Sequence, residues 1–313
     1  MRYISELREG ETINATYLCK NKQMLKTKAG KSYCSMSLQD KTGILDAKIW
    51  EMSNAIGSFD SMDFIHVEGQ LTCFQGSLQL NVRRVRRAQE GEYDPVDYIP
   101  TSKRDIKEMF GELLTYVDSI KNPYLSRLAK SFFVEDKEFV KKFMYHSAAK
   151  SVHHSFMGGL AEHTLGVVRM CDFLALNYPF LNRDLLITGA LFHDLGKVEE
   201  LSDFPENDYT DDGQLLGHIY IGTEMLGARI RTIPDFPHKL SAQLRHCILA
   251  HHGELEYGSP KKPATAEALA LSFADNTDAK LQTIREVLEN GDEKAEWLGY
   301  NRFFESNIRR SEK

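Results

Sequence analysis

The apolar residues of this chain change period once, near residue 100, and that change limits the fold more than any other feature. Before it, the chain breaks into short segments with partial two-residue alternation: "YCSMSLQD", "ILDAKIW", "FIHVEGQLTCF" and "SLQLNVRRV". The turn signals "DKTG" and "FQGS" punctuate them. After it, the repeat is helical, beginning with "DIKEMFGELLTYVDSI" and "PYLSRLAKSFF", and no strand pair is expected. The two prolines of "YDPVDYIPTS", residues 93–102, mark the join. The 313 residues are enough for two domains, each with its own core.

With an opening strand around "TINATYLCKN", the first part has five strands. A set of that size fits a small closed barrel of the OB-fold type. The expected organisation is a five-stranded OB-fold barrel over residues 1–92, a linker and helical lead-in over 93–145, and an all-α domain over 146–313.

Composition excludes several classes. The longest nearly apolar stretch, Leu185 to Phe192, is too short to span a bilayer, so no membrane partner is expected. The opening "MRYISELREG" lacks the apolar core of a secretory signal. Five scattered cysteines without a CxxC pair read as reduced thiols in a cytoplasm. The net charge of −6 removes any global basic signature for nucleic acid.

Two local basic runs remain, both in the expected barrel. "CKNKQMLKTKAGK" holds Lys20, Lys22, Lys26, Lys28 and Lys31 with no acid, and "RRVRR" holds Arg83, Arg84, Arg86 and Arg87. Tyr17, Tyr33, Trp50 and Phe74 lie nearby in sequence. Basic grooves with stacking rings are how OB-folds hold single strands without reading sequence. The competing reading makes the charges solvated faces and the rings barrel core.

Histidines crowd into residues 146–252, mostly beside apolar residues at helical spacing. His163 in "GGLAEHTLGVV" lines up with Leu160, Val167 and Leu174, as a ligand or as a hydrogen-bonded core residue. "ALFHDLGK" sets His193 beside Asp194, about 100° apart on a helix, and then Lys197. His218 stands at a helix start, and His251 and His252 precede Gly253. His246 is expected at the surface. Asp275 follows Leu271 by one turn, and Asp278 follows Asp275 by another. Imidazole mixed with carboxylate suits Mn, Fe, Co, Ni or Zn, and the absence of cysteine argues against a thiolate zinc site.

The order H…HD…H…HH…D resembles the HD-domain superfamily of metal-dependent phosphohydrolases, over most of residues 146–290. The additional His218, His251 and His252 resemble its binuclear variant. That resemblance implies a first ion on His163, His193, Asp194 and Asp275, with Asp194 bridging to a second on His218, His251 and His252. An amino-terminal OB-fold, with "SVHHSFMGGLAEHTL" leading into the helical part, resembles the YhaM-type 3′–5′ exoribonucleases along nearly the whole chain. What this implies is a divalent cofactor, two ions of manganese first with iron, cobalt or nickel as alternatives, and single-stranded RNA as substrate, with single-stranded DNA and homo-oligomers as further expectations.

In that reading Asp194 bridges the ions, Lys197 adds a cation at the phosphate, and His154 donates to a phosphate or protonates the leaving oxygen. Helix-end and packing roles for Lys197, His153 and His154 are the plainer alternatives, and Asp278 fits a residue that orients a ligand histidine. Two rivals stand beside it. One is a phosphodiesterase acting on cyclic dinucleotides or nucleotides, against which the barrel and the lack of a "GYP" tripeptide argue. The other is a non-catalytic single-strand-binding protein, against which the full ligand set argues.

Overall fold

The computed structural model describes residues 2–27, 30–74, 77–150, 154–291 and 295–312. Its contacts divide the chain into two units, Met1–Thr101 with Asp203–Asn207, and Ser102–Ser202 with Asp208–Lys313. The first unit thus runs past residue 92 and also takes in a short segment from far along the chain.

In the first unit, β1 (Thr12–Lys26), β2 (Ser32–Asp40), β3 (Gly43–Ile49), β4 (Phe64–Phe74) and β5 (Ser77–Arg87) close into a barrel of order β1-β2-β3-β5-β4. The β3–β5 pair is parallel and the others are antiparallel. This is the five-stranded OB-fold barrel. Strand β1 serves both sides of the closure: Thr12–Leu18 pair with β4 and Leu18–Lys26 with β2, with an irregularity between Cys19 and Asn21. A bulge there bends the strand, which is what closing so small a barrel requires. Inward residues alternate along β2, β3 and β4, as with Met36 and Leu38, Leu45, Ala47 and Ile49, or Ile65 and Val67. Gly69 sits where β4 and β5 come so close that a Cβ would overlap the Asn81 carbonyl.

The second unit is built on α1 (Ile106–Ser119), α2 (Pro123–Lys130), α3 (Lys137–Tyr145), α4 (Gly159–Asn177), α5 (Arg183–Phe192), α6 (Lys197–Glu200), α7 (Asp211–Arg231), α8 (His238–Ala250) and α9 (Ala266–Asn290). Side-chain caps start most of them, at Asp105, Asn122, Asp136, Asn182, Thr210 and Thr265. Helices α1 to α3 share one apolar core with α4, α5, α8 and α9: Phe110 and Phe143 pack on Phe133, which in turn meets Phe192. From residue 102 onward, the segment read as lead-in is therefore part of the helical unit. Among the described residues, no helix is long and apolar enough to cross a membrane.

One element departs from the helical reading. Beyond α9, β6 (Trp297–Asn301) and β7 (Ser306–Arg309) pair as a two-stranded sheet. Most of their residues are exposed, so no buried face imposes the alternation that marks a strand in sequence.

Candidate metal centre

Five local structures deliver the histidines and aspartates. Helix α4 carries His163 on its buried side. Helix α5 ends at Phe192, so His193 and Asp194 leave its last turn and both are buried. Gly196 lets this turn lie against α7: a Cβ there would overlap the His218 carbonyl. Helix α7 is broken at Gly217, whose φ of 73° is disfavoured for any residue with a side chain, and His218 opens the second half. His251 caps α8 and His252 follows it. Asp275 lies on α9.

These side chains converge on Asp194. His163 Nε2 and His193 Nε2 each lie 3.3 Å from Asp194 Oδ2. His218 Nε2 and His251 Nε2 lie 3.5 and 3.7 Å from Oδ1. Asp275 Oδ1 stands 3.1 Å from His163 Nε2 and 3.8 Å from His193 Nε2. His252 completes a group with His218 and His251 whose ligand atoms lie within 4.8 Å of one another, and His163, His193 and Asp275 form a second such group.

The imidazole tautomers follow from their outer partners. His193, His251 and His252 donate Nδ1–H to the carbonyls of Ala190, Ile248 and Tyr257 at 2.8, 2.7 and 2.7 Å. His163 donates to Asp278 Oδ2 at 2.8 Å, and His218 to Glu200 Oε1 at 2.9 Å. A carbonyl or carboxylate oxygen can only accept, so each Nδ1 holds the proton and each Nε2 in the neutral ring is a bare lone pair. Two such lone pairs, on His163 and His193, face each other across 3.1 Å. The Nε2 atoms of His218 and His251 and Oδ1 of Asp194 are buried without a hydrogen-bond partner. Orphaned acceptors pointed at one another are costly unless a cation lies among them. The set fits divalent metal bound through imidazole and carboxylate.

Electrostatics divide the rings: burial works against a charge on His163, yet its hydrogen bonds to Asp194, Asp275 and Asp278 raise its pKa while no cation shares those carboxylates. Burial lowers the pKa of His251, and lowers that of His252 to about 4, so both rings are neutral at pH 7. Burial alone would raise the Asp275 carboxyl, yet the His163 hydrogen bond and the surrounding rings hold it below the usual carboxylate range.

Lys197 does not stand clear of the cluster as a spare cation. Its Nζ lies 2.7 Å from Asp194 Oδ2 and balances that carboxylate. His154 has a φ of 59°, unusual for a residue with a side chain, and its Nε2 is 3.2 Å from Asp278 Oδ2. His246 is half-buried and accepts the Ala264 N–H at 2.9 Å, so it is a loop anchor. Glu200 escaped the sequence reading. The only local cue was an acid three residues past Lys197, beside the apolar Leu201.

The barrel residues are placed within the first unit. Tyr33 and Trp50 stack with ring centroids 4.8 Å apart on the β2–β3 face, where OB-folds bind oligonucleotides, and Trp50 Nε1 donates to Asn81 Oδ1 at 2.8 Å. Phe74 is exposed at the β4 end, and Tyr17 is fully buried in the core. Lys26 and Lys31 flank the β1–β2 loop, exposed, with Lys31 paired to Glu51 at 3.0 Å. Lys20 donates to the Glu206 carbonyl, and Lys22 lies 4.2 Å from the Phe59 ring centre. Lys28 and His153 lie outside the described residues. All four arginines of "RRVRR" are exposed; the β4–β5 register skips Arg83, which sets it beside Arg84 ahead of the buried Val85. They are not a bare track: Arg84 pairs with Glu68, Arg86 with Glu92, and Arg87 with Asp60 and Asp63, while Arg83 donates to Gln70.

The HD domain family model matches residues 160–280, which contain all seven candidate ligands. The 3′-5′ exoribonuclease YhaM of Geobacillus sp. (strain WCH70) is 35% identical over 282 residues, covering 90% of this chain and 86% of that relative. The chain belongs to the YhaM family of 3′–5′ exoribonucleases. The YhaM proteins of Bacillus subtilis (strain 168) and Listeria monocytogenes (strain EGD-e) match at 35% and 33% identity, again over 90% of this chain and 88% and 89% of theirs. Among solved structures, the second OB-fold domain of replication protein A from Methanococcus maripaludis covers 29% of this chain and 96% of its own at 23% identity, with a TM-score of 0.22. The YhaM match runs through both units, so barrel and HD domain belong to one family architecture.

Proposed function

We propose that this chain is a two-ion exoribonuclease that trims single-stranded RNA from its 3′ end and releases nucleoside 5′-monophosphates. The observation that carries the proposal is the convergence of four Nε2 atoms on the Asp194 carboxylate, with His252 grouped beside His218 and His251. By this reading His163, His193 and Asp275 would hold one ion and His218, His251 and His252 the other, with Asp194 available to both. Two divalent ions so held supply an activated water and neutralise charge on the phosphate. Manganese is the expected metal, with iron, cobalt or nickel able to use the same donors.

The chain's own residues do the rest. Lys197 fixes Asp194 and adds positive charge at the reaction centre. His154 is the candidate proton donor to the departing ribose oxygen; its Nε2 is committed to Asp278, so the proton would come from Nδ1 of the doubly protonated ring. The stacked Tyr33–Trp50 pair and the lysines of the β1–β2 loop hold the strand by ring faces and charge, which suits any sequence and admits single-stranded DNA. Five free thiols suit a cytoplasmic setting. Exposed Phe173, Leu176, Phe180 and Phe273 on the helical unit suit a homo-oligomer.

The test is incubation with Mn²⁺ and a 5′-labelled single-stranded RNA. A ladder that shortens stepwise from the 3′ end supports the proposal. Internal cuts, mononucleotides released from the 5′ end, or hydrolysis of cyclic dinucleotides alone would overturn it.

A further inference from the structure

Three of the five imidazoles are oriented by main-chain carbonyls within five residues of themselves. The other two, His163 and His218, donate instead to carboxylates from a different helix. Those two fall on opposite sides of Asp194, His163 toward Oδ2 and His218 toward Oδ1. We propose that Asp278 and Glu200 are positioning residues that divide the centre between them, Asp278 tuning the ion on the His163 side and Glu200 the ion on the His218 side. This rests on the two-ion reading of the centre.

Each clamp is built beyond the needs of packing. Asp278 Oδ2 accepts from His163 Nδ1 at 2.8 Å and from His154 Nε2 at 3.2 Å. Its Oδ1 fills the space beside Gly166, one turn after His163, where a Cβ would overlap it. A glycine inside a helix costs stability relative to alanine, so this one gives up helix propensity to seat a carboxylate. Glu200 Oε1 accepts from both the backbone N–H and Nδ1 of His218, each at 2.9 Å. One oxygen thus caps the half-helix that begins after Gly217 and fixes the ring that half-helix presents. A carboxylate behind a ligand imidazole locks its tautomer and raises its basicity, and losing such a partner typically weakens metal binding by about 10–100-fold. Main-chain carbonyls fix the tautomer without adding a charge. The centre therefore has two adjustable ligands, one on each side.

Calorimetric titration of Mn²⁺ into the metal-free full-length protein tests this. The wild type should take up two ions. Asp278→Asn should weaken one of them by about 10–100-fold and leave the other within about twofold, and Glu200→Gln should do the converse. Both changes keep size and shape. Gly166→Ala provides a check that removes no polar group: its Cβ displaces the Asp278 carboxylate and should reproduce the Asp278→Asn pattern, although alanine by itself favours the helix. The inference is overturned if either single variant keeps both affinities, or if both variants weaken the same ion. A wild-type protein that binds only one ion would defeat the two-ion reading itself, which separates the two failures.

Discussion

Lys197 Nζ lies 2.7 Å from Asp194 Oδ2, and neither side chain is open to solvent by more than 14%. Burial works against both charges, and each is retained because the other is there. Removing one member of a buried pair leaves the other uncompensated, at about 3–5 kcal/mol. Lys197→Met should therefore destabilise the metal-free protein by about 3 kcal/mol. Saturating Mn²⁺ should recover much of that, because bound cations take over the charge of Asp194. Urea melts with and without metal read the difference. An equal deficit in both conditions would show that Lys197 only packs.

His193 and Asp194 serve the helical unit alone, whereas the stacked rings and loop lysines belong to the barrel. His193→Ala or Asp194→Ala should lower RNA hydrolysis by about a thousandfold or more, the scale of the several kcal/mol that a metal ion contributes to a phosphoryl transition state. Binding of single-stranded RNA, followed by fluorescence anisotropy, should stay within a few-fold of wild type. Wild-type hydrolysis by either variant would remove the metal assignment.

The two basic runs differ in how they are paired, and that difference is measurable. Lys26 is exposed and Lys31 has one exposed partner, whereas Arg86 holds Glu92 through two bonds of 2.7 and 2.8 Å. Lys26→Gln with Lys31→Gln should reduce the slope of log affinity against log salt by about 1.4 units, at about 0.7 per lost contact on a single strand. Arg86→Gln should change it by less than half of that. Trp50→Ala should weaken binding by about 1–3 kcal/mol with little change in salt slope, because stacking is not ionic. A steeper loss at Arg86 than at the lysines would move the strand path to β5.

What could be read in the sequence was what local periodicity encodes. The barrel strands announce themselves because one face is buried, and His163, His193, Asp194 and Asp275 because polar groups interrupt apolar helix faces. The break before His218 was visible as a helix start. Glu200 was not, because its partner is 18 residues away and its role depends on a fold-made contact. Asp278 sits 115 residues from His163, and only its spacing from Asp275 hinted at the site. The arginines of "RRVRR" looked like an open track because Asp60, Asp63 and Glu92 reach them from segments outside β5. The β6–β7 pair left no pattern because neither face is buried.

Asp136 ties α3 to α7 and offers a pH test away from the metal centre. Its carboxylate accepts the Phe139 N–H at 3.1 Å as a helix cap, and Arg229 Nη2 donates to it at 2.6 Å. The Phe139 amide first, and then the Arg229 guanidinium, hold its pKa below the usual carboxylate value. A carboxyl depressed in the folded state contributes stability above its unfolded pKa, near 3.9, and loses it as the pH falls through the lower folded value. Asparagine caps a helix about as well as aspartate, so Asp136→Asn isolates the charge. The pair is partly exposed, so at pH 7 the wild type should exceed the variant by only about 0.5–1 kcal/mol. Urea melts at pH 7, 4 and 3 should show that margin steady down to about pH 5 and narrowing below pH 4. A margin that grows on acidification would mean that the charge opposes folding at this position.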